Sequence, residues 1–505
     1  MKKTFCVIIA TMLTCSVYAQ NSDAYIENEF IIWLEQGVDA AKFAADSDEG
    51  IVPKRLLSGR LNIWLFEITD RTGQRDMKMS NLSKNAGIKH IQNNHTNITV
   101  RAITPNDPYY SQQWAPAKIS LPDTWDEFTT GGFTSTGDEI VVAVIDAGFD
   151  LNHEDLSFWK NIYDIPNNGI DDDNNGYIDD YDGWNAITHT GNISVDNHGT
   201  HVAGITGAIG NNNKGVSGVN WNIKLSPVCG YSALSLNEAT VVEAYSYVLE
   251  LRATYNETNG QRGAFIVATN SSFGVDLGNP ANYPVWCSMY DALGNVGILS
   301  CAATANKNWN IDQVGDVPTA CSSEYLIAVT NTTSTDDKNT DAGYGVNTID
   351  IGAPGTDIYS TYPNNTYGNL TGTSMATPQV AGVIALMYAA MPQSMIQEYK
   401  TNPASFALSV RQYLLDGADK IPSLDGLVAS GRLNAYTAVQ AASCATINFT
   451  NRTVTTNTTV TSCGDINVQN VTVTNGAKLT LDAAGEVNII RDFEVELGSE
   501  FEIIK

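Results

Sequence analysis

The sequence predicts an α/β protein with a parallel central sheet and helices on both of its faces, preceded by a small α/β domain and followed by a small all-β domain. Three observations carry this. Between about 106 and 443, apolar runs such as Val141-Val142-Ala143-Val144-Ile145 alternate with helix-period segments. Before that stretch lies a short region with both strand and helix signals, and after Cys444 the composition shifts to Thr, Asn and Val. Strands and helices in alternation build a parallel sheet covered on both sides, and strands buried on both faces read as continuous apolar runs.

In chain order, residues 1–19 have the plan of a secretory leader. Lys2 and Lys3 precede an apolar run from Phe5 to Leu13, and Val17-Tyr18-Ala19 places small residues where cleavage before Gln20 needs them. The run is shorter than the roughly 20 apolar residues a membrane span requires, and no later segment supplies them. Cys15 raises a lipoprotein reading, against which Met12-Leu13-Thr14 lacks the leucine-then-small pattern. The expected location is therefore extracellular or at the cell surface.

Residues 20–105 form the first domain. Strand formers fill Glu29–Leu34 and Leu61–Phe66, with a further strand at Ile88–Ile91 and helix-compatible stretches at Ala40–Ala45 and Met77–Lys84. Ala102-Ile103-Thr104-Pro105-Asn106-Asp107-Pro108 is a proline-punctuated junction suited to cleavage. In residues 106–443, strands are expected at Val141–Ile145, Phe265–Ala268, Val296–Ser300 and Leu326–Val329, and helices at Glu238–Leu251, Val285–Leu293 and Thr377–Ala390. In residues 444–505 the pattern of Val473, Gly476, Ala477, Leu479 and Leu481 recurs as Val495, Gly498, Ser499, Phe501 and Ile503, which suggests stacked β-rungs.

Bulk properties narrow the function. With 505 residues, 43% of them hydrophobic, the chain has material for about two to four domains with large cores. A formal charge of −27, from 55 acidic and 28 basic residues, argues against a nucleic-acid partner and suits cation binding. Beyond the leader, Cys229, Cys287, Cys301, Cys321, Cys444 and Cys463 make disulfides plausible in an exported chain. Cys444 and Cys463 are the expected pair; the other four admit three pairings or buried thiols, and none has metal or redox spacing.

Three segments carry chemistry. Val144-Ile145-Asp146-Ala147-Gly148 puts an acid at the end of a buried strand, and His198-Gly199-Thr200-His201 opens an apolar helix. Gly372-Thr373-Ser374-Met375-Ala376-Thr377-Pro378 sets a serine in a small-residue turn before a helix. A serine hydroxyl is a poor nucleophile at neutral pH; it needs a base within hydrogen-bond reach, and the base needs an orienting carboxylate.

In the order Asp, His, Ser these motifs resemble the subtilisin family, a reading from resemblance over residues 106–443. His153-Glu154-Asp155-Leu156 and Gly431-Arg432-Leu433-Asn434-Ala435 extend the likeness. The resemblance implies a subtilisin-like fold and a serine endopeptidase acting on protein or peptide substrates. Asp146 orients, His198 is base then acid, Ser374 attacks the peptide carbonyl, and His201 is a structural neighbour. It also implies that the first domain is a pro-segment, chaperone and intramolecular inhibitor, removed by autoprocessing. The family places an oxyanion asparagine after Ala-Ala-Gly; here Ala303-Thr304-Ala305-Asn306 makes Asn306 the candidate, with Ala305 in the glycine's place. Ser272, Phe273 and Gly274 align with the substrate-binding strand, where no charged residue announces a P1 preference.

A structural Ca²⁺ is the expected cofactor. Within an insertion at about 164–185, Asp171, Asp173, Asn175, Tyr177, Asp179 and Asp182 occupy the ligand positions of a twelve-residue calcium loop, with Gly176 at the turn and Asp in place of the final Glu. Resemblance implies a second site, with Asp155 and the Asn212 side chain as ligands and carbonyls near Gly210, Lys214 and Val216 completing it. The C-terminal module is expected to attach the protein to the cell surface or to help its export. Two rival functions remain: ligation or ester hydrolysis by the same triad, and a pseudoprotease that only binds.

Overall fold

A computed structural model of the chain describes residues 25–69, 75–95, 103–232, 237–444, 446–462, 464–483 and 485–504. The expected leader lies outside these residues, as does Cys463. The chain divides into two compact units between Arg101 and Ala102.

The first unit is a four-stranded antiparallel sheet of β1 (Tyr25–Leu34), β2 (Ile51–Ser58), β3 (Ile63–Ile68) and β4 (Ile88–His95), ordered β2-β3-β1-β4. Helices Ala40–Ser47 and Arg75–Leu82 accompany it, and Phe30, Ile32, Leu34, Phe43 and Phe66 form its core. Asp39 caps the first helix by accepting from Lys42 N–H at 2.8 Å. Sequence reading missed β2. It is an edge strand that tolerates Pro53, bulges against β3 and leaves Leu56 and Leu57 exposed, so no alternation marks it.

The second unit is built on a seven-stranded sheet. Its chain order runs β5 (Ile140–Asp146), β6 (Trp184–Asn185), β7 (Lys224–Cys229), β8 (Phe265–Ser271), β9 (Val275–Asp276), β10 (Leu299–Ala303), β11 (Asp316–Val317), β12 (Leu326–Thr332) and β13 (Ile351–Pro354). The sheet order is β13-β12-β10-β8-β5-β7-β6 with every pairing parallel, while β9 and β11 form a separate antiparallel pair. The expected strand at Val296–Ser300 starts later, because Gly297 adopts φ +101° in a turn.

Strand β5 is buried throughout and serves two cores. Ile140, Val142 and Val144 pack with the helix Thr373–Ala390, whereas Val141, Ala143 and Ile145 pack with helices Glu238–Glu257 and Pro284–Asn295. Each fully buried valine or isoleucine contributes about 1.5–3 kcal/mol. Strand order reverses at β5, which has β7 on one side and β8 on the other. In an open parallel sheet, a crevice forms beyond the carboxyl ends at such a reversal.

Beyond the hairpin of β14 (Ile358–Tyr362) and β15 (Thr366–Leu370), the chain ends in two parallel three-stranded sheets. One comprises β16 (Ile447–Val454), β18 (Ile466–Val473) and β20 (Val487–Val495); the other β17 (Thr458–Ser462), β19 (Lys478–Ala483) and β21 (Glu500–Ile504). The sequence repeat is in register, with Val473 beside Val495, Leu479 beside Phe501 and Leu481 beside Ile503. A further rung, β16 and β17, precedes the two that the repeat revealed.

Cys287 is bonded to Cys321, one of the pairings left open, whereas Cys229 and Cys301 are thiols buried in β7 and β10. Cys444 is disulfide-bonded. No single helix among the described residues is long and apolar enough to cross a membrane.

Candidate active site

The crevice at the reversal gathers residues from five elements. Asp146 ends β5 and is fully buried. His198 lies in the first turn of the helix Asn197–Gly207, which starts where Asp196 caps it by accepting from His198 N–H at 2.7 Å. The helix can approach β5 because residue 199 is glycine: a Cβ there would sit 2.2 Å from Gly148 O and 3.0 Å from Asp146 Cβ.

That approach brings His198 Nδ1 to 2.9 and 3.0 Å from the two carboxylate oxygens of Asp146. Burial pulls the imidazole pKa down, but the charge and hydrogen bond of Asp146, with the charge of Asp196, outweigh it and hold it above its ordinary value. His201 points elsewhere, its Nε2 donating to the carbonyls of Ile358 and Gly368 at 3.0 and 3.1 Å. Burial lowers its pKa to about 4, so it stays neutral.

Ser374 sits in the first turn of the helix Thr373–Ala390. Pro378 has no N–H to give the Ser374 carbonyl, so that carbonyl accepts from Ser272 Oγ at 3.0 Å instead. In return Ser374 Oγ donates to Ser272 O at 3.2 Å. This reciprocal pair fastens the serine to the chain leaving β8. No hydrogen bond joins Ser374 to His198 in this state; such bonds commonly form only when substrate is in place.

Asn306 follows β10 and is exposed. Its Oδ1 accepts from Thr373 N–H at 2.9 Å and Thr373 Oγ1 at 3.1 Å, which ties Asn306 to the start of the helix that carries Ser374. Ala305, in the glycine's place, keeps a negative φ, which needs no glycine. Phe273 is half-buried against Tyr231 and Trp286, and Gly274 packs so tightly that a Cβ would lie 2.5 Å from Val317 O.

Two groups beside these escaped the sequence reading. Tyr231, just past β7, donates its hydroxyl to Asp146 Oδ1 at 3.0 Å. Asp107 accepts from the N–H groups of Asn211 and Asn212 at 2.7 and 3.0 Å. Both act across long sequence separations, and no local motif marks either.

Asp155 is fully buried, accepting from Asn212 Nδ2 at 2.8 Å and Val216 N–H at 2.9 Å. Burial pushes its carboxyl up to about 6, and the charge of Asp107 adds to the rise. In the acidic loop, Asp171 and Asp173 accept from Asn175 N–H at 3.1 and 3.2 Å. Buried Asp180 joins them instead of the expected Asp179 and Asp182, accepting from Asn161 Nδ2 and Asn175 Nδ2 at 2.7 and 3.0 Å. Asp179, in a left-handed turn, reaches back to the N–H of Asn168 at 2.8 Å, and Asp182 pairs with Lys160. Tyr177 packs its ring on Trp184 and Tyr247. Among the described residues, no three acidic, His or Cys side chains converge as a metal site.

The subtilase family model matches residues 137–456. The chain belongs to the subtilase family. It is 31% identical to thermitase of Thermoactinomyces vulgaris over 349 residues, covering 67% of this chain and 99% of that protein. It is 30% identical to a thermophilic serine proteinase of Bacillus sp. (strain AK1), covering 82% of this chain and 88% of the relative. An extracellular protease of Xanthomonas campestris pv. campestris is 31% identical, with 67% of this chain and 57% of that protein covered. The fold resembles the solved epidermin leader peptide processing serine protease of Staphylococcus aureus, with TM-score 0.50, 19% identity and coverage of 82% and 98%. This subtilase is accordingly a serine endopeptidase that acts on peptide substrates.

Proposed function

We propose that this subtilase is secreted as a zymogen and cleaves peptide bonds through an acyl-enzyme on Ser374. The observation that carries the reading is the Asp146–His198 hydrogen bond at the sheet's reversal, with Ser374 opening the adjoining helix. His198 Nε2, the nitrogen not bonded to Asp146, accepts the Ser374 proton as Oγ leaves Ser272 O and attacks the substrate carbonyl. Asp146 holds the tautomer and stabilises the imidazolium. The oxyanion meets Asn306 Nδ2 and Ser374 N–H, and His198 returns its proton to the leaving amine. Ser272, Phe273 and Gly274 seat the substrate backbone.

In the same reading, residues 1–19 are removed on export and residues 20–105 inhibit the cleft until cut near 102–106. Residues 106–443 form the catalytic domain, and residues 444–505 attach the enzyme to the cell surface or assist export. Calcium braces the catalytic domain. The donor set that fits it best is Asp155, Asp107 and the side-chain oxygen of Asn212. Two buried carboxylates meet there and no Lys or Arg pairs with either among the described residues. Bound calcium would supply the missing positive charge.

A fluorophosphonate probe tests the reading. The processed enzyme should be labelled, whereas Ser374→Ala should not be and should lose about 10⁶-fold in kcat. Labelling that persists in Ser374→Ala would remove Ser374 as nucleophile; a processed wild type that resists the probe would favour a binding protein.

A further inference from the structure

We propose that Tyr231 is a positioning residue that ties the orienting carboxylate of Asp146 to the substrate-facing wall at Phe273. The proposal rests on the reading of Asp146, His198 and Ser374 given above.

The topology puts Tyr231 in place. Asp146 and Cys229 are paired at the ends of β5 and β7, and Gly230 N–H donates to Asp146 O at 3.0 Å. Residue 230 is closely packed, since a Cβ there would lie 2.8 Å from Ile145 Cγ2. The next side chain therefore folds back over the end of β5. Its hydroxyl meets Asp146 Oδ1, which also accepts from Ala147 N–H at 2.7 Å and faces His198 Nδ1 at 2.9 Å. Its ring packs on Phe273 with centroids 5.0 Å apart and planes at 55°.

Phe273 is itself backed by a fixed set of groups. It contacts Trp286, whose Nε1 donates to Tyr290 Oη at 2.8 Å, and Tyr290 and Tyr245 share a hydrogen bond that leads on to Ser271. The ring of Tyr231 thus rests on a rigid wall while its hydroxyl holds a carboxylate that would otherwise have one donor fewer. A peptide lying along Ser272–Gly274 presses on the surface that sets the direction of that hydroxyl. Burial and the Asp146 charge keep the phenol well above its ordinary pKa, so it stays protonated and donates to the carboxylate.

The consequence is a pH signature. A donor to Asp146 disperses its negative charge and weakens its hold on an imidazolium. Without the hydroxyl, Asp146 stabilises protonated His198 more strongly, and the acid limb of kcat/KM moves to higher pH. The other titratable groups facing this pair are Asp196, Cys229 and His201. Tyr231→Phe leaves them unchanged.

The test compares wild-type and Tyr231→Phe enzyme, each titrated with fluorophosphonate so that rates refer to competent Ser374. Expected are an acid limb displaced upward by about half a pH unit, a three- to tenfold lower kcat and a nearly unchanged KM. A limb and kcat that superimpose on wild type, in fully titrated enzyme, would overturn the role of Tyr231 alone. Persistent labelling of Ser374→Ala would instead overturn the triad reading beneath it. A second readout is independent of turnover: in the Ser374→Ala background, Tyr231→Phe should shift the low-field proton resonance of the His198–Asp146 hydrogen bond, and an unmoved resonance would overturn the proposal.

Discussion

The crevice at the sheet's reversal and the acidic loop before it are both dense in carboxylates, yet their charges are held in different ways. At the crevice, Asp146 takes its side-chain donors from His198 and Tyr231, which lie 52 and 85 residues away in sequence. In the loop, Asp173 and Asp180 take theirs from Asn161 and Asn175, which lie 2 to 19 residues away. The first arrangement exists only when the sheet and the helix Asn197–Gly207 are assembled, and the fold itself supplies the imidazole opposite the carboxylate. The second is made largely by local turns, with Arg262 3.8 Å from Asp173 and Lys160 paired with Asp182. Burial pushes Asp180 up to about 7. A site built on the ends of packed strands is ready before its ligand arrives.

The strongest way to break that contrast lies at Asn306. If the helix start and the strand end preset the oxyanion donor, Asn306→Ala should lower kcat by about 10²–10³-fold with KM nearly unchanged. Thr373 would lose its acceptor at the same time, so a Tm measurement should accompany the kinetics. An unchanged kcat would mean that the oxyanion is met elsewhere.

Glycine positions sharpen the contrast further. Gly199→Ala forces a methyl group into Gly148 O and Asp146 Cβ, so the histidine helix must move away from β5. Displacement of about 1 Å is enough to cost about 10²-fold in kcat. Gly169, in the loop insertion, has φ +73° and open space around its missing Cβ. Gly169→Ala should therefore cost about 1–2 kcal/mol of strain and leave kcat intact. Equal kinetic losses in the two variants would show that the crevice depends on the loop as much as on the sheet.

How much of this was legible follows the same division. Val141–Ile145 announced a doubly covered strand because both of its faces are apolar, and Asp146, His198 and Ser374 stand at element ends that short motifs mark. Tyr231 and Asp107 carry no such mark; they acquire meaning only when β5, β7 and the segment after Ile209 are side by side. The acidic loop is legible by its spacing, which matches a twelve-residue calcium loop, whereas the contacts of Asp179 with Asn168 N–H and of Asp182 with Lys160 depend on turns that no spacing marks. The first β-rung was hidden because Ile447 pairs with Ile466 and Thr458 with Leu479, at spacings unlike the rung that follows.

The smallest expected effect concerns calcium, and its sign comes from the carboxylates. Asp155 and Asp180 have folded-state values pushed up to about 6 and about 7, so the folded chain binds their protons more tightly than the unfolded chain does. Their contribution to stability is present at low pH and is lost as pH rises from about 4 through those values. In EDTA, the melting temperature should therefore fall by a few degrees between pH 5 and pH 8. Calcium at a hundred times its Kd adds about 2.7 kcal/mol and should flatten that decline. If the Asp155 site is where the ion binds, Asp155→Asn should abolish the calcium response, while Asp171→Asn should leave it. The reverse pattern would move the ion from the Asp155 site to the acidic loop.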